Sequence, residues 1–354
     1  MSIPPREYFG QMTEGWLRAE QRGQSSERFY KIANIVVRMQ FAGTPLPDLL
    51  APPFAHLELT AKPAHIHQTI RIWDASTTGI NMPAAPCGKA DFTARGEFRG
   101  FHDGRFHAAY QPLSRTLSVF DSERAITVIC ISDVNQMPSY ERAVPFRPVL
   151  GWIMPRHNCQ LVHAASVGTA NGGVLIVGHG GAGKSNTATG SLIDGLSFVS
   201  DDFCAVSKNP EPAVHSLYGT CRTHENDWAN LPYPKSNPED PPAEKSLHYL
   251  QSYFPGRIVS GFPLLAMLLP RKTGIGLPNL DRAPSASAIV QMSSQSAAML
   301  PDAGGEVLSR LSGMLRNLPT YYLNLGTTPQ HIPSLIRGLI EDLTDDRRGT
   351  SNVT

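Results

Sequence analysis

Residues 178–185 read Gly-His-Gly-Gly-Ala-Gly-Lys-Ser. Glycines at Gly178, Gly180, Gly181 and Gly183 let a backbone curl until successive N–H groups point at one centre, as a bound phosphate requires. Lys184 can reach β- and γ-phosphates, and the Ser185 hydroxyl can ligate Mg²⁺. A helix opening at this point adds its N-terminal dipole and unpaired N–H groups. The string fits GxxxxGK[ST], the Walker A pattern, with Ala182 inside the loop and Asn186 the first residue beyond it. Gly178, Gly180, Gly181, Ala182, Gly183, Lys184, Ser185 and Asn186 are therefore the candidate binders of a nucleoside triphosphate, accompanied by Mg²⁺. The same glycines also fit GxGxxG, a dinucleotide pattern, and Asp201 lies 23 residues after Gly178. Lys184-Ser185 favours the triphosphate, because a pyrophosphate on a helix N-terminus requires neither residue.

A second constellation follows one helix later. Phe198-Val-Ser-Asp201-Asp202 closes a short apolar strand with two carboxylates. In a parallel sheet the strand C-termini face the ligand crevice. One carboxylate can hold Mg²⁺, and the other can take a proton from an attacking hydroxyl. Adjacent strand residues point to opposite faces, so both can serve only where the strand has ended. His163 precedes the phosphate-loop strand in an apolar stretch, where histidines are commonly packed and hydrogen-bonded. His179 lies inside the loop at a position that tolerates many side chains. Arg222, Lys245 and Arg271 could add positive charge to the cluster, and each also reads as a solvated basic residue. His65 and His67 put two imidazoles on one strand face, but no third metal ligand stands at a persuasive spacing, so a solvated face is the reading.

The elements that must position these groups are legible around them. Val174–Val177 reads as a strand, 184–193 as a helix and Ser197–Ser200 as a second strand, a βαβ unit with a parallel pairing. Phe262–Leu269 is a continuous apolar run, expected as a buried strand. Val307, Leu308, Leu311, Met314 and Leu315 share a helical face, as do Ile332, Leu335, Ile336, Leu339, Ile340 and Leu343. Residues 229–245 hold five prolines and read as an irregular loop. The first half is β-rich: Ile35–Met39, Gln68–Trp73, Glu97–His102, Arg105–Gln111 behind an Asp103-Gly104 turn, Thr116–Phe120 and Ala125–Ser132. Strands this close together suggest an antiparallel sheet. The expected division is a β-rich α+β domain over 1–150, an α/β catalytic domain over 151–344 and a disordered polar tail over 345–354.

Composition removes several other classes. The 354 residues carry 31 Lys+Arg against 30 Asp+Glu, a net charge of +1. Such a balance argues against disorder and against nucleic-acid binding by bulk charge. Phe262–Pro270, nine residues, is the longest apolar run; a membrane span needs about 20. No basic and apolar leader opens the chain, and the five cysteines are odd in number and contain no CxxC pair. A cytoplasmic protein with free thiols is expected.

The string His163 … Gly-Val-Leu-Ile-Val-Gly-x-Gly-Gly-Ala-Gly-Lys-Ser … Phe-Val-Ser-Asp-Asp resembles the catalytic domain of the HPr kinase/phosphorylase family and its kinase-like relatives. Lys184 follows His163 by 21 residues and Asp201 follows Lys184 by 17, similar to that family's layout. Leu318-Pro-x-Tyr-Tyr-Leu-x-Leu-Gly before a last helix also looks like the relatives' C-terminal end. The resemblance is specific over 155–210, vague over 211–340 and absent from 1–150. Asn186 stands where HPr kinases typically carry Glu, and Tyr218-Gly219-Thr220-Cys221-Arg222 is a faint stand-in for their second signature. The family's core is similar to that of phosphoenolpyruvate carboxykinases, and some relatives tailor ribosomal peptides, lasso peptides among them.

The resemblance implies an α/β P-loop kinase-like fold and a Mg²⁺-dependent transfer of the ATP γ-phosphate to serine on a peptide or small protein. By position, Lys184 and Ser185 handle the triphosphate and Mg²⁺, Asp201 is the base, Asp202 supports the metal and His163 is their neighbour. The N-terminal domain would bind the acceptor or drive assembly, with a homo-oligomer allowed. An HPr-like phosphocarrier kinase and an NTP-binding regulator or ATPase are the alternatives. A dinucleotide oxidoreductase and a carboxykinase-type decarboxylation rank below them.

Overall fold

Tyr8, Phe9, Met12, Trp16 and Ala19 recur at helical spacing, and in the computed structural model they form the buried face of α1 (Pro5–Arg22). Residues 3–351 are described, apart from 87, 89, 90, 103, 224–244 and 300–304. The chain divides into two compact units, Met1–Ile153 and Met154–Thr354. It is α/β throughout, with mixed sheets.

In the first unit a seven-stranded sheet has the order β1-β2-β3-β7-β6-β5-β4. The strands are β1 (Ser25–Ile32), β2 (Ile35–Ala42), β3 (Gln68–Asp74), β4 (Glu97–His102), β5 (Phe106–Gln111), β6 (Thr116–Asp121) and β7 (Ile126–Ile131). Short helices α2 (Leu46–Leu50), α3 (Ala75–Thr78), α4 (Ser139–Ala143) and α5 (Arg147–Ile153) fill the connections. The α1 face meets Trp73, Phe98, Leu117, Val119 and Val128 in one apolar cluster.

The expectation of an antiparallel sheet needs correction. The hairpins β1–β2, β4–β5 and β5–β6–β7 are antiparallel, but β3 pairs parallel with both β2 and β7. Long connections before and after β3 permit these junctions, and local turn signals do not reveal them. Being central, β3 is buried almost throughout rather than on alternate residues. The Arg71 guanidinium lies 4.5 Å over the Trp16 ring. His65 and His67 precede the strand, and His67 Nδ1 accepts the Val36 N–H at 3.1 Å.

The second unit is built around the apolar run 262–269, which becomes β16 (Gly261–Arg271). Its sheet runs β11-β9-β10-β16-β13-β12-β8, with β18 on β16 and β17 on β18. The strands are β8 (Cys159–His163), β9 (Ala165–Thr169), β10 (Gly172–Ile176), β11 (Ser197–Ser200), β12 (Phe203–Lys208), β13 (Pro212–Ser216), β17 (Asn279–Ala283) and β18 (Thr320–Asn324). A separate pair is formed by β14 (Thr220–Thr223) and β15 (Ser246–Tyr249). β16 pairs parallel with β10 and with β18.

The expected direct pairing of the phosphate-loop strand with the next strand does not occur. β9 lies between β10 and β11, antiparallel to both. Helices α6 (Lys184–Ile193) and α9 (Ile332–Ser351) pack together over β9 and β10, with Ala188, Leu192, Ile336 and Ile340 in the core. Helix α7 (Ser285–Met299) packs on β8, β16 and α8 (Gly305–Leu315). Leu308, read as part of the apolar face of α8, is 43% exposed, whereas Val307, Leu311 and Leu315 are buried.

The tail expected to be disordered over 345–354 is helical as far as Ser351. Arg347 donates to the Leu264 carbonyl at 3.2 Å, which ties the polar end of α9 to β16, and within the helix Thr344 Oγ1 donates to Ile340 O at 2.7 Å. Cys130, Cys159, Cys204 and Cys221 are free and buried; Cys87 and residues 229–244 of the proline-rich stretch lie outside the described residues. Among the described residues no helix is long and apolar enough to cross a membrane.

Candidate functional site

The phosphate loop leaves the C-terminal end of β10 and enters α6 at Lys184. Gly181 (φ +76°) and Gly183 (φ +105°) occupy the left-handed region, which side chains rarely adopt. A Cβ at Gly183 would stand 2.7 Å from Leu325 Cδ1, and one at Gly178 would stand 2.9 Å from the Ala182 Cβ. Close approach thus restricts Gly178, and the left-handed backbone restricts Gly183. Gly180 faces open space, and Gly183 caps α6 without a side-chain acceptor for the helix N–H groups. Lys184 is buried and curls back across the loop, donating to Gly178 O at 2.7 Å and His179 O at 3.4 Å. Burial lowers the Lys184 pKa; Asp202 and Asp201 push it back up, and Lys245 lowers it further.

The strand β11 ends at Ser200, and the chain bends at Asp201 and Asp202 before β12 begins. This bend sends the two carboxylates to different partners. Asp201 is buried and accepts a hydrogen bond from the Ser185 hydroxyl, while its Oδ1 has no partner among the described residues. Its pKa is raised to about 6, mainly by burial and further by Asp202; the Ser185 bond, Lys245 and Lys184 pull it down. Asp202 is half-exposed, with Oδ1 2.8 Å from Nε2 of the buried His163. His163 ends β8 opposite Phe203, its ring 5.2 Å from the phenyl ring and its N–H 3.3 Å from Ser296 Oγ of α7. The second ring nitrogen, Nδ1, is buried and unpartnered among the described residues.

Lys184, Ser185, Asp201, Asp202 and His163 are thus brought together. Ser185 meets Asp201, and Asp202 meets His163. Lys245, just before β15, acts electrostatically on both Asp201 and Lys184. Arg222 lies on β14, with its Nε buried.

Two cavities flank the loop, and both involve residues that spacing alone did not single out. One, of about 320 Å³, is lined by Gly183, Asn186, Lys272, Leu325, Gly326 and Ile332 among others. The other, of about 640 Å³, lies between His179, Arg271, Tyr322 and the outer side of α7. Arg271 ends β16, Lys272 follows it, and the two line different cavities. Gly326 is marked in the sequence by its place at the end of Leu318-Pro-x-Tyr-Tyr-Leu-x-Leu-Gly326. Its φ is +59°, and a Cβ there would lie 2.6 Å from Gly276 O. Among the described residues no cluster of three His, Cys, Asp or Glu side chains could hold a metal ion.

No family model matches the chain, and no curated protein matches it. Among solved structures it is similar to the Hpr(Ser) kinase/phosphatase from Coxiella burnetii, with 15% identity and a TM-score of 0.31 over 51% of this chain and 95% of that one. A likeness of this extent assigns no residue a role.

Proposed function

We propose that the C-terminal unit is a P-loop, HPr kinase-like catalytic domain that transfers the ATP γ-phosphate to a serine hydroxyl of a peptide or small protein. The observation that carries this reading is the buried Asp201 carboxyl, half satisfied by Ser185, beside a glycine loop that has folded onto Lys184. The donor set fits Mg²⁺, a hard cation that takes oxygen ligands. Ser185, with Asp202 or Asp201, would hold it, and the orphaned Asp201 Oδ1 is a lone pair in need of a partner. When bound, Mg²⁺ neutralises charge on the β- and γ-phosphates.

The chain's own residues do the rest. Loop N–H groups and the start of α6 bind phosphate oxygens, and Lys184 exchanges the carbonyls of Gly178 and His179 for the γ-phosphate. Asp201 accepts the serine hydroxyl proton as the new O–P bond forms and the bond to the β-phosphate oxygen breaks, releasing ADP. A carboxyl raised to about 6 is suited to this, being largely ionised at neutral pH yet basic enough to take a proton. His163 fixes Asp202 through the 2.8 Å contact.

One observation favours a second assignment of the carboxylates. Asp201, not Asp202, touches the hydroxyl expected at the metal, so Asp201 could support the cation while the more exposed Asp202–His163 pair takes the proton. The pH profiles of Asp201→Asn and Asp202→Asn separate the two, since the variant lacking the base loses the acid limb of the profile.

Incubation of the full chain with labelled ATP, Mg²⁺ and serine peptides tests the reading. Label on peptide serine supports a kinase, and free phosphate alone supports the regulator or ATPase alternative. Preference for a folded phosphocarrier over peptides would support the HPr-like alternative.

A further inference from the structure

The 640 Å³ cleft beside the phosphate loop is assembled from three elements that meet at the strand ends. Its floor is the end of β16, Leu269 to Arg271, and Tyr322 of β18. Its wall is α7, where Ser287, Val290, Gln291 and Ser294 recur at helical spacing on the side away from the core. Its mouth carries His179, the first variable residue of the loop, whose Nδ1 is held by Gln295 Nε2 at 2.8 Å. The next residue of α7, Ser296, accepts from the His163 N–H, so the same helix borders both the cleft and the Asp202–His163 pair.

The charge of the cleft is one-sided. No Asp or Glu lines it. Arg271 is exposed, forms no ion pair with any described carboxylate, and has its guanidinium carbon 3.1 Å from the Tyr322 ring centroid. Stacking fixes the plane of the fork while leaving its N–H donors for a ligand. Asp281, opposite Tyr322 on the neighbouring strand, already accepts from Asn324 Nδ2 at 2.7 Å. Val290, 59% exposed, adds an apolar contact on the opposite wall.

We propose that this cleft receives the acceptor, and that Arg271 on Tyr322 selects acceptor segments with an acidic residue within a few positions of the target serine. The proposal rests on the kinase reading above and adds to it the class of acceptor. The other cavity, bordered by Gly183 and Asn186 at the helix end of the loop, is left for the nucleoside.

An oriented peptide library with a fixed serine and randomised flanks, phosphorylated by the full chain with ATP and Mg²⁺, tests it. The expected result is enrichment of Asp or Glu near the serine by about threefold to tenfold, carried in KM rather than kcat. Arg271→Glu should invert the preference toward Lys and Arg, and Ser287→Asp, on the opposite wall, should weaken the acidic preference. Phosphorylation with no charge preference, or an acidic preference that Arg271→Glu leaves in place, overturns the cleft assignment and spares the kinase reading. Absence of any phosphorylated peptide overturns both.

Discussion

Buried carboxylates occur in both units, and their surroundings differ. In the first unit Asp74 is fully buried and saturated: Oδ2 accepts from Ser76 Oγ, Thr77 N and Thr77 Oγ1 at 2.7, 3.1 and 2.8 Å, and Oδ1 accepts from Val134 N at 3.0 Å. Asp121 is likewise closed, by a two-pronged Arg105 contact at 3.1 and 3.0 Å and by the backbone of Glu123. In the second unit Asp201 is also buried, at 8% exposure, but one of its oxygens has no partner among the described residues, and the same holds for one nitrogen of His163, the partner of Asp202. A saturated buried charge holds loops to strands. One left half-satisfied beside a glycine loop is a group waiting for a ligand.

Substitution can break this contrast, and the largest effect is expected at Lys184. Lys184→Ala should reduce ATP-dependent transfer by about a thousandfold or more, with weakened nucleotide binding by titration calorimetry. Asp201→Asn should retain nucleotide binding and lose transfer by about a hundredfold or more. The same change should raise stability. A carboxyl whose folded pKa lies near 6 favours the protonated state in the fold, so native stability falls as pH rises from about 4 to about 6 and stays reduced above it. Asp201→Asn removes that loss and should gain about 1–3 kcal/mol at pH 8 and little at pH 4, read by denaturant unfolding.

Asp74→Ala should do the opposite. Losing the acceptor for Val134 and the cap of α3 should cost about 2–4 kcal/mol at pH 7, by the same unfolding measurement. His163→Ala is the smallest rate effect, about tenfold in kcat with KM for ATP little changed, because the histidine acts through Asp202. A wild-type rate profile that rises with pH toward a plateau above about 6, and loses that limb in Asp201→Asn, would sharpen the comparison further.

Much of the second unit was readable because its signals are local. α6 and β11 have the bounds that the glycine loop, the helix-forming run and the apolar Phe198-Val199 pair dictate. The bend at Asp201 and Asp202 meets the condition that two adjacent carboxylates can both serve one site only where the strand has ended. What was not readable depends on chain segments distant in sequence. The insertion of β9 between β10 and β11, and the parallel neighbours of β3, are set by pairing across long connections. The cavity residues Lys272, Leu325 and Tyr322 lie on or just past the ends of β16 and β18, which meet the loop only once β16 lies between β10 and β18. The α9 end looked frayed because its anchor is the Leu264 carbonyl, not a residue of its own helix.

The central claim is that Asp201 takes the proton in an ATP-dependent phosphorylation of serine. The most direct measurement is label transfer from γ-labelled ATP with Mg²⁺ to the oriented serine library, run side by side with the full wild-type chain and Asp201→Asn and mapped by mass spectrometry. The account predicts phosphoserine with the wild-type chain and loss of about a hundredfold or more with Asp201→Asn despite intact ATP binding. Undiminished phosphoserine in Asp201→Asn, or label released only as free phosphate by the wild-type chain, would contradict it.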